Sequence, residues 1–481
     1  MTENYDVAVI GAGVIGTLIA RSLSRYNLRV ALLEKLHDVA QGTTKANSAI
    51  VHAGFDAKPG TFKAKYNVRG AAMMPELCQT LHVPYANNGA LVLGFDDDDV
   101  PVLESLLERG RRNKVPGLRL IGKEELLAME PNVNPCAVGA LYAPSGGIVS
   151  PFDLAIAAAE CAVANGVDFY RDFDVARINQ HDTHFSIYSA AGKKRTAKLV
   201  VNAAGVHADD VAHLVGDDSF HISPRRGEYL LLDNTQAGVV NATIFQCPSD
   251  MGKGVLITPT VHHNILIGPS ADDIDVKDDL STTDPGLKGI QTTMRLSVPG
   301  YQIKDVITSF SGLRAHSNTG DFVLRPSLID PRFIHAAGIE SPGLSASPAI
   351  AAYVVKLFAD VWEEELSEKT NWNPGRPKPL RIKELSREER REAIKKRPEY
   401  GRIVCRCETV SEGEIIDAIR APAGARDMDG VKRRTRAGMG RCQAGFCGTK
   451  VLEILSRELQ LPPQEITKFG AGSQILLGKT K

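Results

Sequence analysis

The sequence carries no excess charge of either sign: 57 Lys and Arg stand against 57 Asp and Glu. A chain so balanced lacks the basic face that a phosphate backbone demands, which excludes a general nucleic-acid binder. No run approaches the roughly 18 consecutive apolar residues of a membrane span, so at most peripheral membrane association is expected. The first residues, Met1 to Asp6, lack the basic region of a signal peptide and lead straight into a strand. A cytoplasmic location is expected, or a peripheral one at the inner face of a membrane. With 43% hydrophobic and 24% charged residues, the composition also excludes a disordered, collagenous or disulfide-scaffold chain. At roughly 100–200 residues per domain, 481 residues allow two to four domains and a sizeable core.

The clearest local pattern is at the N-terminus. Val7 to Ile10 is a short apolar run suited to a buried parallel strand. Gly11-Ala12-Gly13-Val14-Ile15-Gly16 follows at once, then helix-compatible spacing from Thr17 to Ser24. Val30 to Leu33 is a second strand, ending at Glu34. Each glycine has a physical task. Gly11 permits the tight turn, Gly13 lets the backbone approach a pyrophosphate, and Gly16 allows close packing of helix on strand. The helix N-terminus would face the phosphates, and Glu34 would accept hydrogen bonds from an adenosine ribose. This fingerprint by itself leaves FAD and NAD open.

The next segment, Thr43 to Gly54, resembles the stretch after the second strand in FAD-dependent oxidoreductases of the D-amino-acid oxidase-like superfamily. It is most similar to anaerobic glycerol-3-phosphate dehydrogenases and L-2-hydroxyglutarate oxidases. Pro59 to Lys65 and Val68 to Ala72 continue the likeness to the second group. The blocks Gly147–Leu154, Leu199–Gly205, Pro224–Tyr229 and Gly338–Ser345 follow in family order. The resemblance implies FAD, held by Gly11, Gly13, Gly16, Glu34, Thr43, Asn47, Ser48, Ala204, Gly205, Gly338, Pro342, Gly343 and Leu344.

It also implies an α/β architecture. A Rossmann-like FAD-binding domain (1–80, 145–215 and 310–365) would carry an inserted α+β, antiparallel-sheet substrate domain (81–144 and 216–309). The charged, Pro-rich residues 366–400 read as a surface linker. A small [2Fe–2S] domain would occupy 401–481.

Eight cysteines are unevenly placed. Cys78, Cys136, Cys161 and Cys247 are scattered and read as small core residues. Cys405, Cys407, Cys442 and Cys447 form C-x-C and C-x4-C, a pattern of metal ligation rather than disulfides. Four soft thiolates suit a [2Fe–2S] cluster or zinc, and C-x-C is tighter than the usual zinc knuckle. The context resembles the bacterioferritin-associated-ferredoxin-like domain, which implies the cluster. Arg406, Lys432, Arg433, Arg434, Arg436 and Arg441 lie nearby in sequence, where their charge would offset an anionic cluster.

Oxidising a carbinol through a flavin requires a base for the hydroxyl proton. The resemblance places His52 beside the flavin ring, as base or as a structural histidine of a tight loop. It places Arg314 on the substrate side, where its fork suits a phosphate or carboxylate. His316 would share Arg314's strand face and is a second base candidate. Arg226 reads as substrate-facing or structural, and Lys253 as an anion contact or a surface residue.

The expected reaction is oxidation of sn-glycerol 3-phosphate to dihydroxyacetone phosphate. Electrons would leave through the cluster to a second redox subunit. An L-2-hydroxyglutarate dehydrogenase and an amino-acid or amine oxidase are the alternatives. Leu256 stands where the L-2-hydroxyglutarate enzymes carry a histidine, which favours the phosphate substrate.

Overall fold

The computed structural model describes residues 4–248 and 254–478. Strand Asn4–Ile10 is almost wholly buried from Val7 onward, as its apolar run requires. It pairs in parallel with Val30–Leu33 on one side and Lys194–Asn202 on the other. Asp168–Tyr170 and Phe333–Ala337 extend the parallel array outward. These strands form the centre of an eight-stranded sheet. Helices Val14–Leu23, Phe62–Leu81, Pro151–Ala164 and Gly343–Val361 close over it in one core, which includes Leu18, Ile19, Met74, Ile156 and Phe358.

Gly343–Val361 is long and apolar enough to cross a membrane by length and composition, although Ser345, Ser347, Lys356 and Asp360 interrupt it. Its apolarity has a local cause: it packs against Phe62–Leu81 and Val14–Leu23, and Ala346, Ala349, Ile350, Val354 and Phe358 are all at 0% exposure.

The second sheet has nine strands drawn from both inserted segments. Ile222–Leu232 runs antiparallel to Val306–Ser317 along nearly its whole length. The expected all-antiparallel sheet needs one correction. Ala90–Gly94 and Thr243–Gln246 pair in parallel. They belong to segments far apart in the chain, so no hairpin dictates their direction. The Val306–Ser317 strand also stays in this sheet past residue 310, and the first sheet resumes at Val323–Pro326.

Residues 366–400 run over the surface and are anchored to the first domain. Arg376 is buried and donates to Glu160 Oε2 (2.6 Å), Asp153 Oδ1 (2.9 Å) and the Leu81 carbonyl (2.9 Å). Trp372 lies under the guanidinium groups of Arg21 and Arg25. Arg376 straps this segment to the first domain, while the charged side chains of 387–396 stay exposed. A Ser386–Glu389 capping box then starts helix Arg387–Lys396.

The C-terminal module packs helices Glu412–Arg420, Met428–Thr435 and Gly448–Leu459 around Ile415, Ile419, Val431, Val451 and Leu455.

Candidate active site and cysteine centre

The glycine turn has the geometry its spacing demands. Gly11 has φ +100°, and a Cβ there would run into the Ala203 carbonyl. A Cβ on Gly16 would collide with the Gly11 carbonyl, so helix Val14–Leu23 can begin hard against the turn. That helix has no side-chain cap at Gly13 and no acid in its first turn. Its positive end is therefore available to an anionic ligand. Thr44 Oγ1 accepts from Val14 N–H at 3.0 Å, bringing the segment after the second strand against the turn.

Glu34 sits at the end of Val30–Leu33. Its carboxylate accepts from Ala12 N–H (2.6 Å) and Leu36 N–H (2.9 Å). Burial pushes its pKa up to about 7, against those two hydrogen bonds. An open helix end, a strained glycine and a buried carboxyl at the strand tip together fit a dinucleotide such as FAD.

Asn47 holds the turn between Thr43 and Ala49. Its amide donates to the Thr43 and Thr44 carbonyls, and its oxygen accepts from Ala49 N–H, so it shapes the 43–49 turn. Thr43 Oγ1 donates to the Leu313 carbonyl at 2.7 Å, fastening this turn to the Val306–Ser317 strand. Ala204 and Gly205 open a short 3-10 turn beyond Lys194–Asn202, with Gly205 at φ +62°. Gly338 also has positive φ, and Pro342 caps the helix that begins at Gly343 and Leu344.

His52 is held on both sides. Its N–H donates to Ser345 Oγ at 2.7 Å, and its carbonyl accepts from Asn67 Nδ2 at 2.7 Å. The ring reaches Ser341 Oγ (3.5 Å) and lies 5.8 Å from the Phe245 ring of the second sheet. With Phe55, Asn67, Phe245, Gln246 and Pro342 it lines a pocket between its own loop and the second sheet. Ser345 and Asn67 were missed in the sequence. Buried polar residues on apolar helices are the signal that could have found them.

Arg314 donates to the Ser270 carbonyl at 3.3 Å and lies against Gly227. The Tyr229 hydroxyl lies within electrostatic reach of Arg314 and Ser48. Burial pushes that hydroxyl's pKa up, while Arg314 pulls it down. Arg314, Tyr229 and Ser48 thus form one polar group spanning the substrate sheet and the 43–49 turn. His316 is elsewhere engaged. Its Nδ1 meets Glu340 Oε1 at 3.0 Å, and Glu340 pairs with Lys63 at 2.8 Å. Arg226 pairs with Asp279 at 3.0 Å. Leu256 is buried in the second sheet, and Lys253 lies outside the described residues.

The four C-terminal cysteines meet as two thiol pairs, Cys405 with Cys447 and Cys407 with Cys442, the latter at 3.6 Å. The Cys447 thiol and the backbone N–H groups of Gly438 and Glu408 bring Cys405 down to about 6. Cys447 moves the other way. Among the described residues no group of three or more His, Cys, Asp or Glu closes around one point as a single-ion site. Two thiol pairs with N–H donors aimed at sulfur fit a two-iron cluster, in which each iron takes two thiolates, better than one zinc ion.

Four of the basic residues beside these cysteines have carboxylate partners of their own. Arg433 and Arg434 are buried against Asp38, Arg436 pairs with Glu408, and Arg441 reaches Asp233. Of the scattered cysteines, Cys78 and Cys161 are buried as expected, but Cys136 is exposed and Cys247 half-buried.

Comparison with known proteins agrees with this layout. Residues 6–357 match the family described as FAD dependent oxidoreductase. Residues 403–457 match the BFD-like [2Fe-2S] binding domain. A protein of Caloramator mitchellensis named glycerol 3-phosphate dehydrogenase is 50% identical over 477 residues, covering 99% of each chain. The FAD-bound, dithionite-reduced L-α-glycerophosphate oxidase of Mycoplasma pneumoniae superposes with TM-score 0.74 at 33% identity. It covers 78% of this chain and 99% of its own. The human mitochondrial L-2-hydroxyglutarate dehydrogenase is 32% identical over 286 residues, covering 56% of this chain and 61% of its own.

Proposed function

The chain belongs to the FAD-dependent oxidoreductase family over residues 6–357, and on that footing we propose that it oxidises sn-glycerol 3-phosphate to dihydroxyacetone phosphate. Its cofactors are FAD and a [2Fe–2S] cluster. The observation that carries the proposal is the match along 99% of both chains, C-terminal module included, to a relative named glycerol 3-phosphate dehydrogenase. When bound, the flavin supplies a hydride acceptor at N5.

The residues of this chain do the rest. Arg314 binds the phosphate through its planar fork, with Tyr229 and Ser48 fixing its direction. His52 takes the hydroxyl proton as the carbinol hydrogen departs, its loop held by Ser345 and Asn67. His316, engaged by Glu340, is the reserve base. The turn at Gly11, Gly13 and Gly16, the carboxyl of Glu34 and the segments around Ser48, Gly205 and Gly343 hold FAD. Cys405, Cys407, Cys442 and Cys447 ligate the cluster, which supplies a one-electron carrier and directs electrons to a second redox protein rather than to oxygen. The relative named an oxidase covers only 78% of this chain, whereas the one named a dehydrogenase extends through the module.

L-2-hydroxyglutarate is the second reading, favoured by the likeness through residues 47–72 and by the human relative. Buried Leu256 counts against it, since an aliphatic side chain offers a second carboxylate nothing. Turnover with an artificial dye acceptor tests the choice. Glycerol 3-phosphate should support it and yield dihydroxyacetone phosphate. Turnover only with L-2-hydroxyglutarate would replace the proposal, and release of ammonia from an amino acid would point to an amine oxidase.

A further inference from the structure

Asp38 lies in the loop between Glu34 and the segment bearing Thr43 and Ser48, and it is 1% exposed. It makes its ionic contacts with the C-terminal module. Its Oδ2 accepts from Arg433 Nη2 (2.7 Å) and Arg434 Nη1 (2.6 Å), and its Oδ1 accepts from Arg434 Nη2 (2.8 Å). Arg434 thus grips the carboxylate with both ends of its fork. The same guanidinium donates to the Ala423 carbonyl at 2.6 Å. Arg171, from the first domain, donates to the Gly424 carbonyl at 2.7 Å.

The near side of the contact is equally fixed. Two residues beyond Asp38, Ala40 N–H donates to the Ala12 carbonyl of the glycine turn at 3.0 Å. The far side of the module is tied to the substrate sheet by Arg436 with Asn264 and by Arg441 with Asp233. A buried ion pair contributes little net stability, because desolvation cancels most of its attraction; its best-attested use is to specify one arrangement over others. Breaking it by removing one partner is costly, so the arrangement it specifies is enforced.

We infer that Asp38 is a positioning residue for electron transfer: it fixes helix Met428–Thr435, and with it the cysteine centre, against the flavin-bearing domain of the same chain. The inference rests on the reading that electrons leave through the cluster. Each substrate oxidation releases two electrons and two protons. The electrons leave the flavin singly through the cluster to a one-electron acceptor protein, reducing two acceptors per substrate, and the protons pass to water. Tunnelling between cofactors falls steeply with separation, so a module held at one distance transfers reliably and a loosened one does not.

The test compares wild type with Asp38→Asn in FAD- and iron-loaded full-length protein. Three readings are taken: hydrogen exchange across residues 423–441, flavin bleaching by glycerol 3-phosphate, and cluster reduction followed by its paramagnetic signal. Asp38→Asn should raise exchange in that segment and slow cluster reduction by about tenfold or more, with flavin bleaching unchanged. Arg434→Lys keeps the charge but loses the fork, so it should fall between the two, and it serves if Asp38→Asn does not fold. Increased exchange with cluster reduction at the wild-type rate would overturn the inference. So would unchanged exchange. A wild-type protein whose flavin bleaches while its cluster stays oxidised would overturn the electron-exit reading; the exchange result would still report separately on Asp38's hold on the module.

Discussion

Gly312 and Ala46 are in backbone contact: a Cβ on Gly312 would fall inside the Ala46 carbonyl oxygen. This contact presses the Val306–Ser317 strand, which carries Arg314, onto the 43–49 turn that leads to His52. It is reinforced one residue on, where Thr43 Oγ1 donates to the Leu313 carbonyl. The second sheet is thereby fastened to the 43–49 turn, which links the first domain's glycine turn to the His52 loop.

Gly312→Ala should therefore act on geometry before chemistry. Overpacking of this kind costs about 1–3 kcal/mol, and the backbone on either side has no slack to absorb it. The expected result is a lower unfolding midpoint, together with a KM for glycerol 3-phosphate raised more than kcat is lowered. A variant with wild-type stability and KM would show that the contact is relaxed in solution.

Glu34 gives a pH prediction. Burial raises its folded pKa from 4.5 to about 7, so the native apo-protein binds this proton more tightly than the unfolded chain does. The stability linked to it is full below about pH 4.5 and is lost as pH rises through about 7, a span on the order of 3 kcal/mol. Glu34→Gln cannot titrate. Urea unfolding of the apo-protein at about pH 5 and about pH 8 should show wild type losing more stability than Glu34→Gln across that interval. Equal losses would mean that water reaches the carboxylate and keeps its pKa ordinary.

Much of this site was legible in the sequence, and the limits have physical causes. The glycine turn and Glu34 are local features, and one stretch of chain contains everything that determines them. The contacts of Asp38 were not legible. A residue's hydrogen-bond partners depend on what the fold brings alongside, and Asp38's partners lie nearly four hundred positions away. Arg433 and Arg434 sit close to the cysteines in sequence, but that they also meet Asp38 is visible only in the fold. The anchoring of the Pro-rich segment was hidden because Arg376 meets its carboxylates only in three dimensions.

His52 and Arg314 should separate kinetically. Arg314→Lys keeps the charge but loses the planar two-point contact, at a cost of about 2–4 kcal/mol, near a hundredfold in kcat/KM, with binding weakened. His52→Ala should slow flavin reduction with less effect on binding, because a base acts in the transition state. Stopped-flow reduction at several substrate concentrations distinguishes the two. Flavin reduction at the wild-type rate in His52→Ala would pass the base role to His316.

Cys407→Ser should abolish iron binding while FAD stays bound, since Cys407 lies outside the module's apolar core around Ile415, Val431 and Leu455. Iron and FAD per chain, measured after anaerobic purification, check this. Stoichiometric zinc without iron in the wild type would reject the cluster, and loss of FAD along with iron would show that the modules do not load independently.

The most direct measurement of the central claim is anaerobic addition of sn-glycerol 3-phosphate to the FAD-loaded protein while the yellow flavin absorbance is followed. Rapid bleaching with one dihydroxyacetone phosphate formed per flavin, and no bleaching by L-2-hydroxyglutarate, is the predicted result. Bleaching by L-2-hydroxyglutarate while glycerol 3-phosphate leaves the flavin oxidised would contradict it.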